Sequence, residues 1–178
     1  MRVSPSSVLV LAGLLILLTS QGALGSELKT RYAVVVYERE ELVRRFNKEV
    51  SLGSLSYLMR GRQAITVEDE VRAKIDVLVE RIESLLDMFP RELRFRIVLL
   101  PTAADVRKTY KNRYRMSVDF IAFYAPRDKT VFLSVDDIEL GVLAHELTHV
   151  ILDHYFGISP PARIHEVLAQ FVEAHLKD

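Results

Sequence analysis

Five consecutive residues, His145-Glu146-Leu147-Thr148-His149, combine the residue types that metal-assisted hydrolysis requires at a spacing that can use them. On a helix, residues four apart share a face, so His145 and His149 offer two imidazole nitrogens to one ion, and Glu146 stands about 100° round from His145. This is the H-E-x-x-H pattern: two zinc ligands and a general base. The competing reading is an ordinary helix, its histidines hydrogen-bonded in the core and its glutamate solvated. The surroundings weigh against that. Val142, Leu143, Ala144, Leu147, Val150, Ile151 and Leu152 make the helix apolar nearly all round, so it is predicted to be buried. Two imidazoles and a carboxylate buried without partners are costly, and a metal site offsets that cost.

A catalytic zinc takes three protein ligands and keeps one position for water, so another donor is needed. The candidates downstream are His154, His165, Glu166, Glu173 and His175. His154 falls on the opposite side of the motif helix and drops out; residue type alone leaves the other four open. They lie on or beside a helix predicted from Ala162 to about Leu176 and started by Ser159-Pro160-Pro161. Its apolar stripe is Ile164, Val167, Leu168 and Phe171, with Val172 at the margin. Glu166, Gln170 and Glu173 lie opposite with Ala162 and Ala169, so periodicity alone turns Glu166 to solvent.

The elements that must hold this motif are legible in outline. Arg31 to Tyr37 reads as a strand and Leu42 to Val50 as a short amphipathic helix; Leu55 to Ile65 carries no clear pattern. Thr66-x-x-Asp69 caps a helix of about 22 residues whose stripe runs from Val71 to Phe89, with Pro90 beyond. Phe95, Ile97 and Leu99 alternate in a second strand stopped by Pro101, and Thr102-x-x-Asp105 caps another helix. Asp119 to Tyr124 and Thr130 to Val135 read as a hairpin directly before the motif helix. Ser134 or Asp136 is the expected N-cap of that helix and Gly157 its left-handed C-terminal stop. An edge strand beside the metal can bind an extended peptide through its backbone.

The N-terminus reads as targeting. Arg2, the apolar run Val8 to Leu18, and Ala23 and Gly25 form a signal-peptide pattern over residues 1–25, with cleavage before Ser26 and a run too short to span a bilayer comfortably. An exported, periplasmic or secreted protein is expected, with no stable membrane span once the signal is removed. Residues 26–178 then form one domain. There is no cysteine, so neither disulfides nor thiolate ligands contribute. The chain has 24 basic and 24 acidic residues, a balance that implies no strongly charged partner. One basic run, Arg107 to Arg115 with Tyr110 and Tyr114 interleaved, invites a nucleic-acid reading. Neutral overall charge and the lack of a nucleic-acid motif favour a solvated helix face, and no nucleic-acid partner is expected.

The stretches Leu143 to Val150 and Pro160 to Glu173, which reads PPARIHEVLAQFVE, resemble the gluzincin zinc metallopeptidases, in particular the small peptidase-MA-like domains. The resemblance implies a zincin-like fold, zinc as cofactor, His145, His149 and Glu166 as ligands, and Glu146 as general base. It also implies a supporting role for Gln170 behind a ligand histidine, and a substrate-side edge at Ala122, Phe123 and Tyr124. Two positions depart from the family pattern: Val167 stands where glycine is usual, and Arg163 where an aromatic residue is common. Only residues 167–178 follow Glu166, and the expected specificity is loose, supplied by a partner protein, or absent.

The expected architecture is α+β: a mixed or antiparallel sheet of about four strands, a long backing helix, the motif helix and a C-terminal glutamate helix. The expected activity is zinc-dependent hydrolysis of peptide bonds in a peptide or protein substrate. Tyr124, Tyr155 and His165 stand as alternatives for the group that stabilises the oxyanion. The rival expectations are a weakly active or inactive peptidase-like domain that binds a peptide or protein partner, and a latent enzyme.

Overall fold

The computed structural model describes residues 25–178. Residues 1–24, which carry nearly all of the expected signal peptide, lie outside that range. Five strands form one mixed sheet: β1 (Ser26–Lys29), β2 (Ala33–Tyr37), β3 (Phe95–Leu100), β4 (Ala122–Ala125) and β5 (Thr130–Ser134). Their order is β1-β2-β3-β5-β4, parallel at β2/β3 and β3/β5 and antiparallel at both ends. The expectation of about four strands is therefore corrected by β1. Its sequence, SELK, buries only Leu28 and is held by pairing with β2, a signal too weak for sequence pattern to register.

The helices are α1 (Glu40–Glu49), α2 (Val67–Leu86), α3 (Ala103–Tyr114), α4 (Leu140–Tyr155) and α5 (Ala162–His175), with a short 3₁₀ segment at Gly53–Met59. The larger core joins one sheet face, through Val35, Ile97, Leu99, Val131 and Leu133, to α1, α2 and α4. A smaller core on the other face gathers Val98, Leu100, Phe123 and Phe132 beneath Val106 and Tyr110 of α3. Helix α5 lies outside α4 and α2, its Val172 and Leu176 packed into the larger core. Among the described residues no helix is long and apolar enough to cross a membrane.

Both expected capping boxes are present, Thr66 with Asp69 and Thr102 with Asp105. Helix α2 stops at Leu86, where Asp87 turns left-handed (φ 52°), so Phe89 leaves the stripe and is exposed. The caps assigned to the motif helix are corrected. Its N-cap is Glu139 without a side-chain cap, because Ser134 bonds to Asp137 and Asp136 pairs with Arg45. Its C-cap is Phe156 in extended backbone, and Gly157 is not left-handed.

The wheel reading of the last helix holds only in part: Glu166, Gln170 and Glu173 are exposed and Val172 is buried as expected, but most of the apolar stripe is not buried. Ile164, Val167 and Phe171 are 45%, 54% and 41% exposed, whereas Ala169, Val172 and Leu176 are buried. Burial against α4 and α2 needs small or well-fitting side chains more than a maximal apolar stripe, and the Ala169/Val172/Leu176 side supplies them. Val167 points outward, so its place in a glycine position of the family pattern does not obstruct the approach of α5 to α4.

Candidate metal centre

Helix α4 is rigidly seated, with Leu143, Ala144, Leu147, Val150, Ile151 and Leu152 buried, and that fixes the direction of its polar trio. His145 and His149 project toward α5, where Glu166 meets both. His145 Nε2 lies 3.5 Å from one Glu166 carboxylate oxygen and His149 Nε2 lies 3.5 Å from the other. One donor atom from each of the three residues fits within 4.8 Å of the others. Separations of 3.5 Å are long for a hydrogen bond. They match the ligand-to-ligand edge, about 3.3–3.6 Å, of a tetrahedron with zinc-like bonds of about 2.0–2.2 Å. Two imidazoles and a carboxylate are also the donor set of His₂Glu catalytic zinc sites, so these residues fit such an ion in spacing and in chemistry.

A second acid supports the first. Glu173, two turns along α5 from Glu166, brings Oε2 to 3.5 Å from His145 Nδ1, the nitrogen that faces away from Glu166. A carboxylate there favours the tautomer with the proton on Nδ1 and the lone pair on Nε2. Gly141, one turn before His145, lies beside Glu173: a Cβ there would stand 3.4 Å from Glu173 Cγ and Oε1, in ordinary van der Waals contact. Gln170, the position carried over from the family pattern for this supporting role, is exposed. Glu173 had entered the sequence reading as a candidate ligand. His175 turns elsewhere, its Nδ1 bonded to the Phe171 carbonyl at 2.8 Å. His154 is committed to the Val150 and Arg94 carbonyls at 2.8 and 3.0 Å.

The electrostatics divide the trio. Burial raises the Glu146 carboxyl to about 8; Glu166 adds to the rise, and the Tyr124 backbone N–H draws it partly back. Burial lowers His149 to about 4, helped by His145 and His165, so its imidazole is neutral and able to act as a ligand near pH 7. His165 is lowered by burial, against the opposing pull of Asp153 and Glu166, and its Nε2 shares a 3.0 Å hydrogen bond with Ser159 Oγ.

The wall facing the centre is the sheet edge. Strand β4 is the last strand, and the Ser134 N–H bonds to the Ile121 carbonyl. Alternation of bonded and non-bonded pairs then makes Phe123 and Ala125 the residues that bond to β5, leaving Ala122 and Tyr124 with backbone groups directed off the sheet. Ala122, Phe123 and Tyr124 line a cavity of about 340 Å³ with His145, Glu146, His149 and Glu166. A second cavity, of about 470 Å³, continues past His149 and Glu166 to Pro126, Ser159, Pro160 and His165. Among the three oxyanion candidates, Tyr124 and His165 reach this cleft. Tyr155 lines a different cavity with His154. The Tyr124 hydroxyl donates to Asp153 Oδ2 at 3.0 Å, and burial followed by the Asp153 charge raises its pKa further, so it keeps its proton.

No family model, characterised protein or solved structure matches this chain. The site therefore rests on its own geometry. Sequence reading missed Tyr110, which lines both cavities, and Asp153, which anchors Tyr124. The first had a signal in the Tyr110/Tyr114 spacing of four within an otherwise polar helix; the second had none, because the partners are far apart in the chain.

Proposed function

We propose that this chain is a zinc-dependent metallopeptidase of the gluzincin type that hydrolyses peptide bonds at the His145, His149 and Glu166 centre, acting after export. The observation that carries the reading is the meeting of His145, His149 and Glu166, one donor atom from each within 4.8 Å of the others, beside the buried Glu146. His145, His149 and Glu166 would hold the ion, with Glu173 orienting His145. Bound there, zinc supplies a Lewis acid that acidifies a water and polarises a carbonyl.

The remaining work belongs to the chain. Glu146, sunk in the floor of the cleft, takes a proton from water on its carboxylate and returns it to the departing amine nitrogen. The off-sheet backbone groups of Ala122 and the Tyr124 carbonyl align an extended peptide across the centre by strand addition, the Tyr124 N–H being turned to Glu146. His165 on the cleft wall is the donor left to steady the carbonyl oxygen as charge builds on it, the Tyr124 proton being engaged by Asp153. The Asp153 hydrogen bond holds the Tyr124 ring at the cleft wall.

A quenched fluorescent peptide library incubated with the zinc-loaded chain tests this. Cleavage is expected, with loss in chelator and recovery on adding zinc. Glu146→Gln is expected to keep zinc while cutting the rate by about 10²–10⁴-fold, the usual contribution of a general base. Cleavage indifferent both to chelator and to Glu146→Gln would refute the proposal.

A further inference from the structure

We infer that the cleft selects peptides with an aromatic side chain on one side of the scissile bond, seated against Tyr110 and Phe120 opposite Glu146 and His149. This rests on the metallopeptidase reading and adds to it a substrate class. Helix α3 lies on the sheet face away from α4, yet Tyr110 lines both cavities of the cleft. It does so by rounding the β4 edge, the route left open where the sheet ends.

What it builds there is an array of rings. Tyr110 meets Phe120 at 5.3 Å and Phe123 at 5.0 Å, both nearly perpendicular, and Tyr114 at 4.6 Å. Phe123 is buried and stacked on Phe132, so the array is anchored from beneath. Its outer members are not filled: Phe120 is 43% and Tyr114 40% exposed. Exposed rings grouped at the mouth of a reactive cleft present apolar surface and ring edges to an incoming side chain. An aromatic side chain satisfies both, through area and through edge-to-face geometry, where an alanine satisfies neither.

The preference is one-sided. The smaller cavity, toward Phe120 and Ala122, carries the ring array. The larger one, toward Pro126 and Pro160, shares Tyr110 and Tyr124 but lacks Phe120 and Phe123, and is lined instead by the prolines, Ser159, Ala162 and His165. A peptide laid along β4 runs from one to the other across His149 and Glu166. Acidic side chains are disfavoured in the smaller cavity by Glu146 and Glu166.

The test is a set of peptides on one scaffold with Phe, Leu, Ala or Lys at each position flanking the cleaved bond, scored by kcat/KM on the zinc-loaded chain. Phe is expected to exceed Ala by about tenfold or more at one position and by little at the other. Phe120→Ala should bring that ratio below about threefold, and Tyr110→Leu should do the same. Phe171→Ala, an exposed ring on the outer face of α5, should leave it unchanged. An unchanged ratio in Phe120→Ala, or a preference for Lys, overturns the inference. If the chain cleaves nothing, the functional proposal fails, and the selectivity is read from binding. Fluorescein-labelled Phe and Ala peptides are titrated by anisotropy against the Glu146→Gln chain, with and without Phe120→Ala. The same ratio and its loss are expected, and equal binding of the two peptides overturns the inference.

Discussion

The two helices that meet at the candidate centre relate pattern to burial in opposite ways. Helix α4 is apolar nearly all round and is buried accordingly, its polar trio emerging through a gap in its cover. Helix α5 has a clear apolar stripe, Ile164, Val167, Leu168 and Phe171 with Val172 at its margin, and leaves Ile164, Val167 and Phe171 in solvent, burying Val172 with Ala169 while Glu166 and Glu173 reach the histidines of α4. A hydrophobic wheel assumes that burial of apolar area decides which face goes inward. In α5 the side that goes in carries Ala169 and Val172, which allow close approach, and the two carboxylates reach the imidazoles from the exposed rim of that contact.

Breaking the inward face of α5 should therefore do most at its acidic positions. Glu166→Ala removes one of three ligands and is expected to weaken zinc binding by roughly a hundredfold or more, read by competition with a chromophoric chelator. Glu173→Ala, which leaves the ligands in place, should weaken it by about 10- to 100-fold and should be rescued in part by Gln. Gln170→Ala should leave affinity unchanged. Equal effects at 170 and 173 would contradict the pairing of Glu173 with His145.

The same comparison can be sharpened through stability. Val172→Ala, buried under α4, should cost about 2 kcal/mol in urea unfolding, and Phe171→Ala on the outer face less than about 0.5 kcal/mol, although phenylalanine is the larger side chain. The reverse order would restore the wheel reading.

The metal-free chain should also show a pH signature. Glu146 sits at about 8 in the fold against an ordinary 4.5, so the folded chain holds a proton that the unfolded chain releases, and stability falls as pH rises from 4.5 to 8. His149 sits at about 4 against 6.5, so its contribution is lost as pH falls from 6.5 to 4. The two slopes offset each other between 4.5 and 6.5. Of the two, only Glu146 acts above 6.5, and its contribution should fall by at most about 1.4 kcal/mol per pH unit up to pH 8. Glu146→Gln should flatten that limb; an unchanged slope would place the titration elsewhere.

Much of the frame was legible because local chemistry sets it. Thr66 and Thr102 cap their helices through residues three positions on, and the hairpin before α4 is written in alternation and in Pro126. The motif trio was legible for the same reason, since five residues on one helix carry their geometry with them. What escaped depends on partners distant in sequence. Strand β1 exists through β2, Ser134 spends its hydroxyl on Asp137 instead of a helix cap, and Glu173 finds His145 across the contact of α5 with α4. Glu166 lies between these cases: family resemblance proposed it, periodicity opposed it, and tertiary packing brings it to both histidines.

The most direct test is a crystal structure of the zinc-loaded chain with anomalous data at the zinc edge. The account predicts one ion per chain, bonded at about 2.0–2.2 Å to His145 Nε2, His149 Nε2 and a Glu166 carboxylate oxygen, with Glu173 beyond His145. An ion held by the histidines without Glu166, or no ion at this site at saturating zinc, would contradict it.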